Sequence, residues 1–128
     1  MKKRVAVIAA GFTGQQHIEA IRRIPGCEVV ALVDANAEAL KAKAAALGVE
    51  KTYTDYKQMI QEVHPDVVHN CTPNGMHYEL NKYIMEQGIH VYCEKPLAIT
   101  LEQGKELVRI AQEKSVAAGV NFNYRNNA

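Results

Sequence analysis

No excess of either charge marks this 128-residue chain: Lys plus Arg number 15, Asp plus Glu 14, and the net charge is +1. Nucleic-acid binders carry a basic excess or stripe, so the balance argues against that class. Cysteine is sparse. Cys27, Cys71 and Cys93 are odd in number and form no C-x-x-C pair. That spacing matches neither a disulfide framework nor a zinc site, and it suits a reduced, cytoplasmic setting. No apolar run approaches the ~20 residues of a membrane span. The run behind the basic start, Val5-Ala6-Val7-Ile8-Ala9-Ala10, is six residues long. A signal-peptide core needs roughly 7–15. Internal repeats, low-complexity stretches and linkers are missing too. What is present is ordinary for a folded domain: 48% hydrophobic and 23% charged residues, a mixture that argues against disorder.

Short apolar runs alternate with amphipathic stretches along the chain. Residues 4–10 read as a continuous apolar strand, the pattern of strands buried on both faces of a parallel sheet. A helix follows from Gly14, with Ile18, Ile21 and Ile24 on one face, and Pro25-Gly26 stops it. Residues 28–33 form the next strand, ended by Asp34. Asn36 caps a helix carrying Leu40, Ala44 and Leu47, closed by Gly48. Residues 51–53 make a third strand, and Asp55 caps a helix with Met59, Ile60 and Val63. The fourth strand spans 67–70, with a helix from about 75 to 87 after it; the fifth spans 89–92. Thr100 and Gln103 fit a capping box before a helix bearing Leu101, Leu107, Val108 and Ala111. Residues 116–122 complete the series. Regular alternation with short links predicts an α/β fold: a doubly wound, six-stranded parallel sheet over residues 1–125. Residues 126–128 are left as a short tail.

In such sheets, ligands bind outside the carboxyl ends of the strands, and the unusual residues collect there. The first strand ends in Ala9-Ala10-Gly11-Phe12-Thr13-Gly14. This is a G-x-G-x-x-G dinucleotide fingerprint with Ala9 in place of the first glycine. Gly11 lets a pyrophosphate approach the backbone, and Gly14 allows close packing of helix on strand. Asp34 follows Gly14 by 20 residues, at the end of the next strand, a spacing that suits a carboxylate accepting from ribose hydroxyls. Its other reading is a helix cap. No cation stands between Asp34 and Lys41 to meet a 2′-phosphate, so NAD is favoured over NADP. Lys95, just past the fifth strand in Glu94-Lys95-Pro96, can donate to a substrate oxygen; a solvated lysine paired with Glu94 is the alternative. His17 and His77 follow the motif segments, with a structural helix-face role as the plainer reading. Cys71 and Cys93 end neighbouring strands, as a redox pair or as core-edge residues.

Taken together, these segments resemble the N-terminal domain of the Gfo/Idh/MocA oxidoreductases, the glucose–fructose oxidoreductase and inositol dehydrogenase family. The resemblance runs from about Arg4 to Arg125. It rests on Gly11-Phe12-Thr13-Gly14-Gln15-Gln16-His17, Asp34, Tyr53-Thr54-Asp55, Cys71-Thr72-Pro73-Asn74, Glu94-Lys95-Pro96-Leu97-Ala98 and Val120-Asn121-Phe122-Asn123-Tyr124-Arg125. It implies a two-domain NAD(P)-dependent dehydrogenase acting on a sugar, polyol or related compound. Lys95 then polarises the substrate oxygen. The implied cofactor-binding set is Gly11, Phe12, Thr13, Gly14, Asp34, Cys71, Thr72, Pro73, Asn74, His77, Glu94, Lys95, Pro96 and Asn123. Members of the family carry a second domain for substrate binding and homo-oligomerisation, together with further catalytic residues, and it is absent from this chain. A non-catalytic NAD-binding sensor or interaction module is the alternative.

Overall fold

The computed structural model describes residues 1–126. The elements are β1 (Lys3–Ile8), α1 (Phe12–Ile21), β2 (Cys27–Val33), α2 (Ala37–Leu47), β3 (Thr52–Tyr53), α3 (Tyr56–Val63), β4 (Val67–Asn70), α4 (His77–Glu86), β5 (His90–Glu94), α5 (Leu101–Lys114) and β6 (Ala118–Asn121). All strand pairs are parallel, in the order β3-β2-β1-β4-β5-β6. The doubly wound sheet expected from the alternation is the one observed. Strand order reverses between β1 and β4, which opens a crevice at their carboxyl ends.

The apolar runs are buried from both sides because successive strand residues face opposite layers. Val5, Val7 and Leu32 pack under α1 and α2, with Ile18, Ile21, Leu40 and Ala44. Ala6, Ile8, Ala31, Val33, Val68 and Val91 pack under α3, α4 and α5. Each fully buried Leu, Ile or Met side chain contributes about 1.5–3 kcal/mol. Caps fix the helix ends: Asn36, Asp55 and Thr100 side chains accept from backbone N–H groups in the first turns of α2, α3 and α5. The last of these is a full capping box. Among the described residues, no helix is long and apolar enough to cross a membrane.

Several boundaries differ from the sequence reading. Helix α1 starts at Phe12 and stops at Ile21, so Ile24 lies beyond it and is exposed. The helix expected from residue 75 begins as a 3-10 turn, Asn74–Met76, before α4. Strand β5 continues to Glu94, because Cys93 and Glu94 pair with Val120 and Asn121 of β6. Leu101 and Val108 of α5 are exposed; the helix buries Leu107, as expected, together with Ile110. Of the tail read at 126–128, residues 127 and 128 lie outside the described residues.

The link from β1 to α1 leaves no room for a side chain at Gly14. A Cβ on Gly14 would stand 1.9 Å from the Ala9 carbonyl oxygen, so only glycine lets α1 sit this close. Ala9 occupies the missing-glycine position with φ +84°, a left-handed conformation that costs an L-residue about 1–2 kcal/mol. Ala9→Gly removes that strain but adds roughly 0.4–1 kcal/mol of unfolded-state entropy. The relief is larger, so thermal denaturation is expected to show a modest net gain in stability. Gly14→Ala is expected to lose stability by at least the ~1–3 kcal/mol typical of overpacking, and a Gly14→Ala chain as stable as the parent would contradict this account of the turn.

Candidate functional site

The crevice at the switch point encloses about 650 Å³, within the ~300–1,000 Å³ usual for small-molecule sites. Its walls include Gly11, Phe12, Thr13, Gly14, Asp34, Cys71, Thr72 and Pro73. Eight of the residues singled out in the sequence therefore converge on one cavity, from the ends of β1, β2 and β4. Exposed Phe12 and Met76 flank it.

Two features of the phosphate turn fit a dinucleotide. Helix α1 begins at Gly11 with no side-chain cap and no acidic residue in its first turn. Its leading N–H groups are orphan donors, and with the helix dipole they favour an anion. A Cβ on Gly11 would meet nothing within 4 Å, and the φ there is an ordinary −73°. Nothing in the chain itself demands glycine at that position. The open floor it leaves is the space a pyrophosphate needs.

Asp34 stands opposite this turn. Its Oδ2 accepts from the Ala10 N–H at 2.8 Å and its Oδ1 from the Asn36 N–H at 2.8 Å. The N-terminal cap of α2 is Asn36, whose side chain accepts from the Ala39 N–H. Asp34 thus ties the phosphate turn to the end of β2. Each carboxylate oxygen retains a second acceptor position for a ribose hydroxyl.

Beneath the Thr-Pro-Asn segment lies a buried polar brace that sequence reading missed. Asn70 Oδ1 accepts from both the N–H and the hydroxyl of Thr72, and Asn70 Nδ2 donates to Asn81 Oδ1 at 2.8 Å. Asn70 sat at the end of the fourth strand, and Asn81 in the middle of a helix, and neither belonged to a motif that would have singled it out. His77 is completely buried. Its Nδ1 lies 2.6 Å from the Pro96 carbonyl oxygen and its Nε2 lies 2.6 Å from that of Thr72. Both ring nitrogens face carbonyls, so His77, read as a cofactor contact, instead joins the two loops that flank the crevice.

The other expected residues lie apart from the main cavity. Lys95 is exposed at the end of β5, and the Lys95–Pro96 peptide is cis. Asn74 and Asn123 are exposed in 3-10 turns. Glu94 lines a second cleft, of about 550 Å³, with His17, His69, Tyr92 and Asn121. Burial pushes the Glu94 carboxyl up. Hydrogen bonds from Asn121 and His17 and the charges of His17 and Lys95 outweigh it and hold the group below its usual range. Among the described residues no three His, Cys, Asp or Glu side chains are arranged to hold a metal ion. Cys71 and Cys93 face opposite layers of the sheet. Burial raises both thiols, Cys93 to about 11, which suppresses thiolate chemistry and leaves the core-edge reading.

His69 carries a pH signature. Burial and the neighbouring His17 push its ring down from 6.5 to about 4, against the pull of Glu94. Below pH 6.5 the unfolded chain takes up a proton that the folded chain refuses. Its stabilising share is therefore whole above pH 6.5 and lost progressively toward pH 4, on the order of 3 kcal/mol in all. Urea denaturation at pH 7 and pH 4.5 should show this decline in the parent and a smaller one in His69→Gln. Equal declines would remove His69 as the cause.

Comparison with known proteins gives the site its context. The model of an oxidoreductase family with an NAD-binding Rossmann fold, GFO_IDH_MocA, matches residues 3–122. D-apiose dehydrogenase of Paraburkholderia graminis is 34% identical over 120 residues, which are 94% of this chain and 32% of the relative. Myo-inositol 2-dehydrogenase of Thermotoga maritima is 30% identical, over 95% of this chain and 36% of the relative. The crystal structure of the WlbA dehydrogenase from Bordetella pertussis, in complex with NADH and UDP-GlcNAcA, superimposes with a TM-score of 0.93. It is 32% identical, and the match covers 100% of this chain and 39% of that one. The chain spans about a third of the length of these relatives. By sequence, sheet order and phosphate turn alike, it belongs to the Gfo/Idh/MocA oxidoreductases, as an NAD-binding Rossmann domain.

Proposed function

We propose that this chain is the cofactor domain of an NAD-dependent dehydrogenase that acts on a secondary hydroxyl of a sugar, polyol or related compound. The observation that carries the reading is the single crevice into which the uncapped α1, Asp34 and Thr72-Pro73 all open. The N–H groups of α1 hold the pyrophosphate, Asp34 accepts from the adenosine ribose, and Thr72 and Pro73 wall the site. Asn74 follows Pro73 directly at its edge, whereas Glu94, Pro96 and Asn123 stand outside this crevice and would meet the cofactor only beyond it. When bound, the nicotinamide supplies the hydride acceptor or donor. Lys95 Nζ donates to the substrate oxygen and favours the alkoxide-like charge that develops there. Relatives named for an activity include sugar and polyol dehydrogenases and reductases, beside a 4-carboxy-2-hydroxymuconate-6-semialdehyde dehydrogenase, which supports an enzyme over a sensor module. This reading assigns the remaining substrate contacts, the acid–base partners and a homo-oligomer interface to sequence outside these 128 residues, which span about a third of those relatives. Three free cysteines support a cytoplasmic setting.

Calorimetric titration tests the reading on the chain itself. NAD should bind in the micromolar to millimolar range, and NADP at least tenfold more weakly. The 2′-phosphate would meet the Asp34 carboxylate and forfeit a charge-assisted hydrogen bond worth ~1.5–3 kcal/mol. Asp34→Ser with Ala35→Arg should narrow or invert the preference, and equal binding of both dinucleotides to the parent would deprive Asp34 of this role. In the complete protein, Lys95→Ala should depress kcat strongly at nearly unchanged NAD affinity; a normal kcat would remove Lys95 from the mechanism.

A further inference from the structure

Helices α1 and α2 cover only the β1–β2–β3 half of their face of the sheet. On the other half, the strand positions that continue this layer hold His69, Tyr92, Glu94 and Asn121. These form a directed chain. His69 Nδ1 lies 2.8 Å from His17 Nδ1, and His17 Nε2 lies 2.6 Å from Glu94 Oε1. Asn121 Nδ2 donates to the same oxygen at 2.8 Å, and the Tyr92 hydroxyl donates to Asn121 Oδ1 at 3.2 Å. A carboxylate only accepts, so the hydrogen of His17 sits on Nε2. With both rings neutral, the Nδ1 of His17 is then an acceptor, and His69 donates to it from its own Nδ1.

Lys95 has no hydrogen bond or ion pair of its own among the described residues, so its place depends on its neighbours. On one side Glu94 is held by His17 and Asn121. On the other, the Pro96 carbonyl is held by His77. We propose that His17 is a positioning residue for Lys95: the chain His69–His17–Glu94 fixes the carboxylate that precedes Lys95 and thereby sets where Lys95 leaves β5. The inference rests on Lys95 being the substrate-facing lysine of the dehydrogenase reading.

His17→Gln keeps an amide N–H for Glu94 and an amide oxygen for His69, whereas His17→Leu keeps neither. In the complete dehydrogenase, His17→Leu should lower kcat by about 100-fold, the scale of a 1 Å misplacement of a reacting group. The KM for NAD should stay nearly unchanged, and His17→Gln should recover most of the rate. Normal kcat in His17→Leu, or equal loss in both variants, overturns the proposal. A wild-type protein with no NAD-dependent turnover overturns the dehydrogenase reading instead. Ring-15N NMR of the histidine-labelled wild-type chain then decides the relay by itself, whether or not the variants fold. It should show hydrogen on His17 Nε2 and on His69 Nδ1. An unprotonated His17 Nε2, or hydrogen on His69 Nε2 alone, overturns the proposal.

Discussion

At Gly14 the first helix passes so near the strand before it that a single methyl group would collide with a backbone carbonyl. That approach aims the start of α1 at the carboxyl edge of the sheet, beside the gap where strand order reverses. Were α1 displaced outward, its free N–H groups would no longer face the cavity, and Asp34 would lose the Ala10 N–H that joins the two strand ends. Ala9 meets the same turn with a strained backbone in place of a glycine. The geometry is kept by packing around it, with Ala10 and Ile18 buried on either side.

A second layer of support lies under the loops. The Asn70–Asn81–Thr72 brace and the His77 bridge place hydrogen bonds where an apolar core would leave the loop backbone unheld. Buried polar groups are costly when unpaired and specifying when paired. Together they tie the end of β4 to the end of β5, so the wall of the crevice and the base of Lys95 are joined through the His77 side chain. The histidine chain on the opposite face acts on the same strand end from the other side.

The parts legible in the sequence were those with strong local rules. Apolar runs in a parallel sheet, caps at Asn36, Asp55 and Thr100, and the spacing from Gly14 to Asp34 all depend on residues close in the chain. The residues that escaped are paired over long separations. His17 reaches Glu94 across 77 positions, and His69 sits inside the fourth strand, 52 positions from His17. Local pattern also misjudged which helix residues meet the core. Of the α5 residues read as core-facing, Leu107 is buried, but Leu101 and Val108 face outward and Ile110 takes the second inward position. Strand β5 was read two residues short because its last residues are polar or small, and only pairing with β6 makes them strand.

The sheet also has short edges. Strands β2, β1, β4 and β5 run for seven, six, four and five residues, while the margins, β3 and β6, hold two and four. A long flat margin offers a template on which another copy can add a strand and begin an aggregate. Here each border exposes few unpaired amides, so the sheet ends before it can recruit. Such self-limiting edges let the domain keep an open ligand crevice without also keeping an open seam.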